Sequence, residues 1–352
     1  MKLTLLALVA CAALGAGSAS ATGSPTGTTR YSAEALLAAD VPWATVQTVA
    51  GASFWPQMPG FDTRVYQASP QPLATVVQNY RDIDGKTSIQ TALYSFGNER
   101  NSLAFIQSEA IVGPPIDQVS PAIGDQHFYF VTTLANGSPS TRFYFTQGSV
   151  GVFLEVEGAR WSKSRITELA APIAANVKAL IAGHLHAPTL PADEISHLPR
   201  SSDAPGPLLG TAAVRAEAWA TLVHKGSPRT IRDQLVRGGN TTFAFRRYLR
   251  QGSSTDVIEV SLFHFGSAET ARAWFAPFEA AIQKHPSTIL ATGSTGSSSA
   301  FRFDLENYEL RFVAGTYVAD VFCYAPYVST VSPTCATAAR TLAQQWYAEL
   351  PK

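Results

Sequence analysis

The chain has 352 residues, of which 46% are hydrophobic and 11% aromatic, with 26 basic side chains, 26 acidic ones and three cysteines. That apolar content excludes disorder as the overall state, and a zero formal charge argues against a dedicated nucleic-acid binder, whose phosphate contacts need a basic excess. A chain of this length is expected to divide into two domains rather than bury one continuous core.

Residues 1–21 read as a secretory signal. Lys2 precedes an apolar run from Leu3 to Leu14, and small residues lead to Ala19-Ser20-Ala21, the pattern of an A-x-A cleavage site. The run is too short to span a bilayer, which needs about 20 apolar residues. The mature chain is therefore expected to begin near Thr22. Leu8-Val9-Ala10-Cys11 also has the form of a bacterial lipobox, which would instead place a lipid anchor on Cys11. The apolar character continues past Cys11 to Gly17, which favours the peptidase site. Both routes export the chain, and no later stretch has the length and apolarity of a transmembrane span. Removal of the signal leaves Cys323 and Cys335, for which one disulfide is the simplest expectation in an oxidising compartment. Closing that loop would contribute roughly 3 kcal/mol in the chain-entropy account.

Residues 22–30, rich in Thr, Gly and Ser, are expected to form a flexible lead-in. Globular patterning then runs over 31–183. At 184–207, Pro188, Pro191, Pro199, Pro205 and Pro207 interrupt a polar stretch, which reads as a linker before a second globular unit at 208–352.

An internal repeat supports this division. Ala92-Leu93-Tyr94-Ser95-Phe96-Gly97 corresponds to Ser261-Leu262-Phe263-His264-Phe265-Gly266, and each is followed by a helical pattern, Glu99 to Ala110 and Ala268 to Gln283. Tyr80 corresponds to Tyr248, and Phe145 to Val150 corresponds to Phe312 to Tyr317, with nearly constant offsets. Amphipathic helices at about 164–182 and 333–350 close the two copies. Trp43-Ala44-Thr45 and Trp219-Ala220-Thr221 match less securely. Each copy is expected to hold a leading helix, two alternating strands, a helix, a meander of about three strands and a closing helix. Asn136-Gly137 and Asp82 to Lys86 carry hairpin-turn chemistry. Strands feeding strands, without strict β-α-β alternation, predict an α+β fold of two homologous modules, each a mainly antiparallel sheet packed with about three helices.

This order resembles the PknH-like extracellular sensor domain family of actinobacterial receptor kinases and lipoproteins. The resemblance rests on Ala35-Leu36-Leu37-Ala38-Ala39-Asp40, on Tyr94-Ser95-Phe96-Gly97 leading into Phe105-Ile106, and on Gly315 to Cys323 followed by Ala336 to Trp346. It implies, in tandem duplicate, an exported non-enzymatic module with a concave face for a ligand. Members of that family tend to carry more cysteines than this chain.

Catalytic signatures such as G-x-S-x-G, S-x-x-K, H-E-x-x-H and G-x-x-x-x-G-K-[ST] are absent from the sequence. Gly85-Lys86-Thr87 ends like a phosphate loop, but Tyr80 stands where that loop needs glycine. His184, His186 and His197, with Asp193 and Glu194 between them, are weak metal candidates, set against the reading of a solvated linker. Glu155 and Glu157 share one strand face and could divide acid and base roles in a hydrolase, although Phe322 and Tyr324 occupy the corresponding positions of the second copy. No cofactor is expected.

Charge placement is the clearest non-random feature. Lys225, Arg229, Arg232, Arg237, Arg246, Arg247 and Arg250 face a single acid, Asp233, in that stretch, and residues 22–187 carry 10 basic and 12 acidic groups against 14 and 11 in 206–352. Arg229, Arg232, Arg246, Tyr248 and Arg250 are the candidate anion-binding residues, because guanidinium groups hold carboxylate or phosphate bidentately. The competing reading is a solvated face of edge-strand arginines that discourages aggregation. Arg247 alternates with Phe243 and Phe245 and is expected to pair with a buried acid. The expected function is an exported, non-catalytic binding or sensor-like protein of the cell envelope, whose partner is an anionic envelope component or a protein. A secreted hydrolase and a structural envelope protein are the alternatives.

Overall fold

The computed structural model describes residues 31–61, 70–110, 122–190, 192–222, 227–253, 255–283, 299–303, 307–325 and 332–351. The expected signal segment with Cys11, the lead-in at 22–30 and Lys225 lie outside the described residues.

The first half contains α1 (Ala33–Ala39), α2 (Trp43–Ala50), β1 (Phe54–Pro56), β2 (Ala74–Asp82), β3 (Ser88–Ser95), α3 (Glu99–Ala110), β4 (Gln126–Thr133), β5 (Pro139–Gln147), β6 (Val150–Glu157) and α4 (Lys163–Ile181). The second contains α5 (Ala192–Ser196), β7 (Leu208–Arg215), α6 (Ala216–Ala220), α7 (Pro228–Arg237), β8 (Thr242–Leu249), β9 (Val257–His264), α8 (Ala268–Gln283), β10 (Ser299–Phe303), β11 (Asn307–Ala314), β12 (Tyr317–Tyr324) and α9 (Pro333–Glu349).

Local chemistry explains the boundaries. Ser32, Ser162 and Ser332 cap α1, α4 and α9, each hydroxyl accepting from the backbone N–H three residues on. Along α4, Ile166, Leu169, Ala170, Ile173, Val177 and Leu180 recur every three or four residues and are buried. The β4–β5 hairpin turns at Asn136-Gly137, where Gly137 has φ 82°, a value that side chains with a Cβ rarely adopt.

Among the described residues every strand pair is antiparallel, in two six-stranded sheets ordered β1-β2-β3-β6-β5-β4 and β10-β11-β12-β9-β8-β7. The five strands β2 to β6 therefore repeat the order of β8 to β12, with the same cross-strand partners. The sixth strand comes from different places in the chain. In the first sheet β1 follows the leading helices, whereas in the second β7 precedes them. Neither edge strand is predicted from its sequence. Phe54-Trp55-Pro56 is too short to display a period, and β7 contains Gly210, Ala212 and Ala213, which carry little strand preference.

The largest apolar cluster joins both halves, from Leu36, Val76, Val152 and Ile173 to Ala212, Val214, Phe243 and Phe263. A second lies between the second sheet and α9, and a third between the first sheet and α3. At the junction the Phe61 ring lies 6.1 Å from that of Phe245. Gly210 makes room for it, since a Cβ there would fall 2.5 Å from the Phe61 ring. Glu34 Oε1 accepts from the Thr211 N–H at 2.9 Å, and Thr221 Oγ1 donates to the Pro56 carbonyl at 3.3 Å. The stretch at 184–207 is not wholly a solvated tether. Leu198 is buried in the core of the second sheet, with Ile195 and Ala204 against it, and Trp346 Nε1 donates to the His197 carbonyl.

Candidate functional site

The arginines of the basic segment of the second half have different partners. Arg229 donates to Asp84 of the first half at 2.7 Å, and the Arg229 and Arg232 guanidinium carbons lie 5.7 and 5.3 Å from the centroid of the Trp55 ring. Arg232 is also ion-paired with Asp233 at 2.7 Å and Glu217 at 3.7 Å. Arg246 donates to the Pro199 carbonyl at 2.9 Å. Tyr248, on the same face of β8, is buried, and that burial raises its phenol above the usual range against the lowering effect of Arg246. Arg250, just beyond β8, donates to Asp256 at 2.8 Å, and Asp256 also accepts from Ser332. Arg229 and Arg232 are brought together at the Trp55 ring, while Arg246, Tyr248 and Arg250 follow one another along β8 and its continuation. Each of these arginines is engaged within the chain.

Arg247 pairs with Glu259, which also accepts from the Tyr324 hydroxyl at 2.7 Å. On the same sheet face, Arg311 donates to Glu309 and Asp320 at 2.9 Å each. Burial holds the Asp320 carboxyl above the usual carboxylate range despite the Arg311 guanidinium beside it. Cys323 and Cys335 form a disulfide that ties β12 to the first turn of α9, with both residues fully buried. His184 and His186 are exposed beyond the end of α4, while the His197 ring lies 5.0 Å from that of Tyr317. Among the described residues, no group of three His, Cys, Asp or Glu side chains could hold a metal ion. No helix among them is long and apolar enough to cross a membrane.

Strand register identifies a feature common to both sheets. In the first, the partners Asn79, Gln90, Glu155 and Arg142 run across β2, β3, β6 and β5. In the second, Arg247, Glu259, Phe322 and Glu309 take the same places across β8, β9, β12 and β11. Both rows lie on the sheet face that carries α3 or α8, one step from the row those helices accompany. In the first sheet that neighbouring row is apolar, Val77, Ala92, Phe153 and Tyr144. In the second it is Phe245, Ser261, Asp320 and Arg311. The first row is bonded across strands: Gln90 Nε2 donates to Asn79 Oδ1 at 3.0 Å, and Glu155 Oε1 accepts from Arg142 Nε at 2.8 Å and Ser140 Oγ at 2.7 Å.

Beyond this row the first sheet presents Arg81, Ser88, Glu157 and Ser140, again directly paired. Here an open depression of about 440 Å³ is lined by Gln57, Asn79, Arg81, Lys86, Thr87, Ser88 and Glu157. Arg81 and Lys86 are exposed, and neither has an ion-pair partner among the described residues. A smaller hollow of about 180 Å³ lies at the junction, between Glu34, Leu37, Leu190 and Thr211. The sequence reading singled out Glu155 and Glu157 but missed Arg81 and Ser88. Their signal is the polar half of the alternation in β2 and β3, since Asn79 and Arg81 oppose Gln90 and Ser88 across the Asp82 to Thr87 turn.

No family model and no curated protein matches this chain. Among solved structures, it is similar to the extracellular domain of PknH from Mycobacterium tuberculosis, with 16% identity and a TM-score of 0.35, over 43% of this chain and 99% of that one. A second likeness, to the di-domain ARO/CYC BexL from the BE-7585A biosynthetic pathway, has 9% identity and a TM-score of 0.13, over 90% of this chain and 96% of the other.

Proposed function

We propose that this chain is an exported, non-catalytic binding protein of the cell envelope, made of two modules related by duplication, with its ligand face on the polar floor of the first sheet. The carrying observation is the register-matched row, Asn79, Gln90, Glu155 and Arg142 in one copy and Arg247, Glu259 and Glu309 with Phe322 in the other, which sets polar groups where apolar residues would pack without a desolvation cost. In the first copy that row continues into an open depression of ligand-accommodating size. In the second, the row is engaged in internal ion pairs. Duplication followed by specialisation accounts for one copy open and one closed.

The signal-like residues 1–21 and the buried Cys323–Cys335 disulfide support an extracytoplasmic location. On this reading Arg229 and Arg232 serve the junction between modules, and Arg246, Tyr248 and Arg250 serve the packing of the second module. Glu155 is a fixed wall of the floor, its Oε1 already occupied by Arg142 and Ser140.

The test is native mass spectrometry of the protein purified from its own cell envelope. Expected are a chain starting near Thr22, or lipidated at Cys11, an oxidised cysteine pair and a co-purified small molecule. Recovery from the cytoplasm with the first 21 residues intact, reduced cysteines and no bound mass would overturn the reading.

A further inference from the structure

We propose that the depression on the first sheet binds the anionic group of a saccharide, with Arg81 and Lys86 holding a phosphate or carboxylate and Glu157 accepting from sugar hydroxyls. The inference rests on the binding face proposed above and assigns it a ligand class. Its lining is rich in donors. Arg81 supplies a fork of N–H groups and Lys86 an ammonium, while Thr87 and Ser88 supply hydroxyls beside them. Asn79 uses its Oδ1 to accept from Gln90, which orients its amide nitrogen as a further donor, and Gln57 stands across from it on the lining.

The acids around the depression differ in their engagement. Asp82 and Asp84 belong to the same hairpin, but Asp84 accepts from Arg229 of the second module, and Asp82 Oδ1 accepts from the Asp84 N–H at 3.1 Å inside the turn. Glu157 lies two strands from Arg81, with Ser88 between them, forms no ion pair with it, and accepts one long hydrogen bond, from Asn136 Nδ2 to its Oε1 at 3.4 Å. The site therefore pairs an anion-binding end at Arg81 and Lys86 with an acceptor at Glu157. A simple anion would use only the first, and a neutral sugar only the second and the amides. An anionic sugar unit uses both.

The mature full-length chain would be titrated calorimetrically with glucuronate, glucose 6-phosphate, glucose and inorganic phosphate, at low and at raised salt. Glucuronate or glucose 6-phosphate should bind about tenfold or more tightly than glucose, with affinity that falls as salt rises. The tighter of the two distinguishes carboxylate from phosphate as the natural group. The double variant R81A/K86A should lose about tenfold or more in affinity for that sugar. E157Q should weaken both anionic sugars while leaving inorganic phosphate unchanged. Arg81 and Lys86 are exposed, so the double variant should melt like the parent, which separates loss of binding from loss of fold. Equal binding of glucose, undiminished binding by R81A/K86A, or no binding of either anionic sugar would overturn the proposal. In each of those cases a co-purified molecule of another class would leave the binding function standing.

Discussion

Arg229 Nη2 donates to Asp84 Oδ2 at 2.7 Å across the boundary between the two modules, and its guanidinium carbon sits 5.7 Å from the centroid of the buried Trp55 ring. The excess of base in the second module and of acid in the first thus meet in one contact. Both partners are more than half in water or close to it, with side-chain exposures of 50% and 60%. The ion pair alone is therefore worth under about 1 kcal/mol, and the ring carries most of the energy. R229A should lower the urea-unfolding stability by no more than about 1 kcal/mol, whereas W55A should cost about 3 kcal/mol or more. Equal effects of the two variants would refute this division.

The contact between Phe61 and Gly210 should behave as a coupled pair. G210A forces a Cβ into the Phe61 ring and should cost roughly 1–3 kcal/mol by overpacking. F61A empties a buried site at the junction and should cost about 3–5 kcal/mol. In the double variant the new methyl no longer meets the ring, so the combined loss should fall short of the sum by about 0.5 kcal/mol or more. Additive losses would mean that Gly210 is needed for another reason.

Asp40 ends α1 with its carboxyl fully buried, accepting from Thr91 Oγ1 at 2.6 Å and the Val41 N–H at 2.7 Å. Burial pushes its pKa up to about 7, against the lowering effect of those two hydrogen bonds. The folded state therefore holds a proton that the unfolded chain releases near pH 4. Stability conferred by this group is fully present below the unfolded pKa and is lost as pH rises toward 7. The ceiling on that loss is about 4 kcal/mol. D40N keeps an acceptor for Val41 and offers a donor to Thr91, so it should stabilise the fold at neutral pH and flatten the melting temperature between about pH 4 and pH 7. A parent protein that grows more stable over that interval, with D40N unchanged, would contradict the assignment.

The Cys323–Cys335 bridge fastens α9 to β12, and α9 supplies Leu342, Ala343 and Trp346 to the core of the second module. Replacing both cysteines with serine should lower stability by about 2–4 kcal/mol, with hydrogen exchange rising first in α9. A reducing agent should lower the melting temperature of the parent but not of the double variant.

Short-range chemistry made much of the fold legible before the structure. Helices from Glu99 to Ala110 and from Ala268 to Gln283, the hairpins at Asn136-Gly137 and Asp82 to Lys86, the cysteine pair and the α+β class all follow from periodicity, turn residues and composition. Arg247 could be assigned a buried partner because strand alternation placed it with Phe243 and Phe245, and Glu259 provides that partner. Tertiary structure alone decided the remainder. Sheet edges are completed by β1 and β7, whose sequences hold too little strand preference to announce them and which pair because a neighbouring edge is exposed. The arginines of the second module look like one patch along the chain, yet Asp84, Pro199 and Asp256 each engage a different one. Arg81 and Lys86 line one open depression with Ser88 and Glu157 because strand register brings those two alongside, while Arg229 occupies Asp84. Periodicity states which face a side chain takes, but only the packed chain determines which charges meet there and which are left facing solvent.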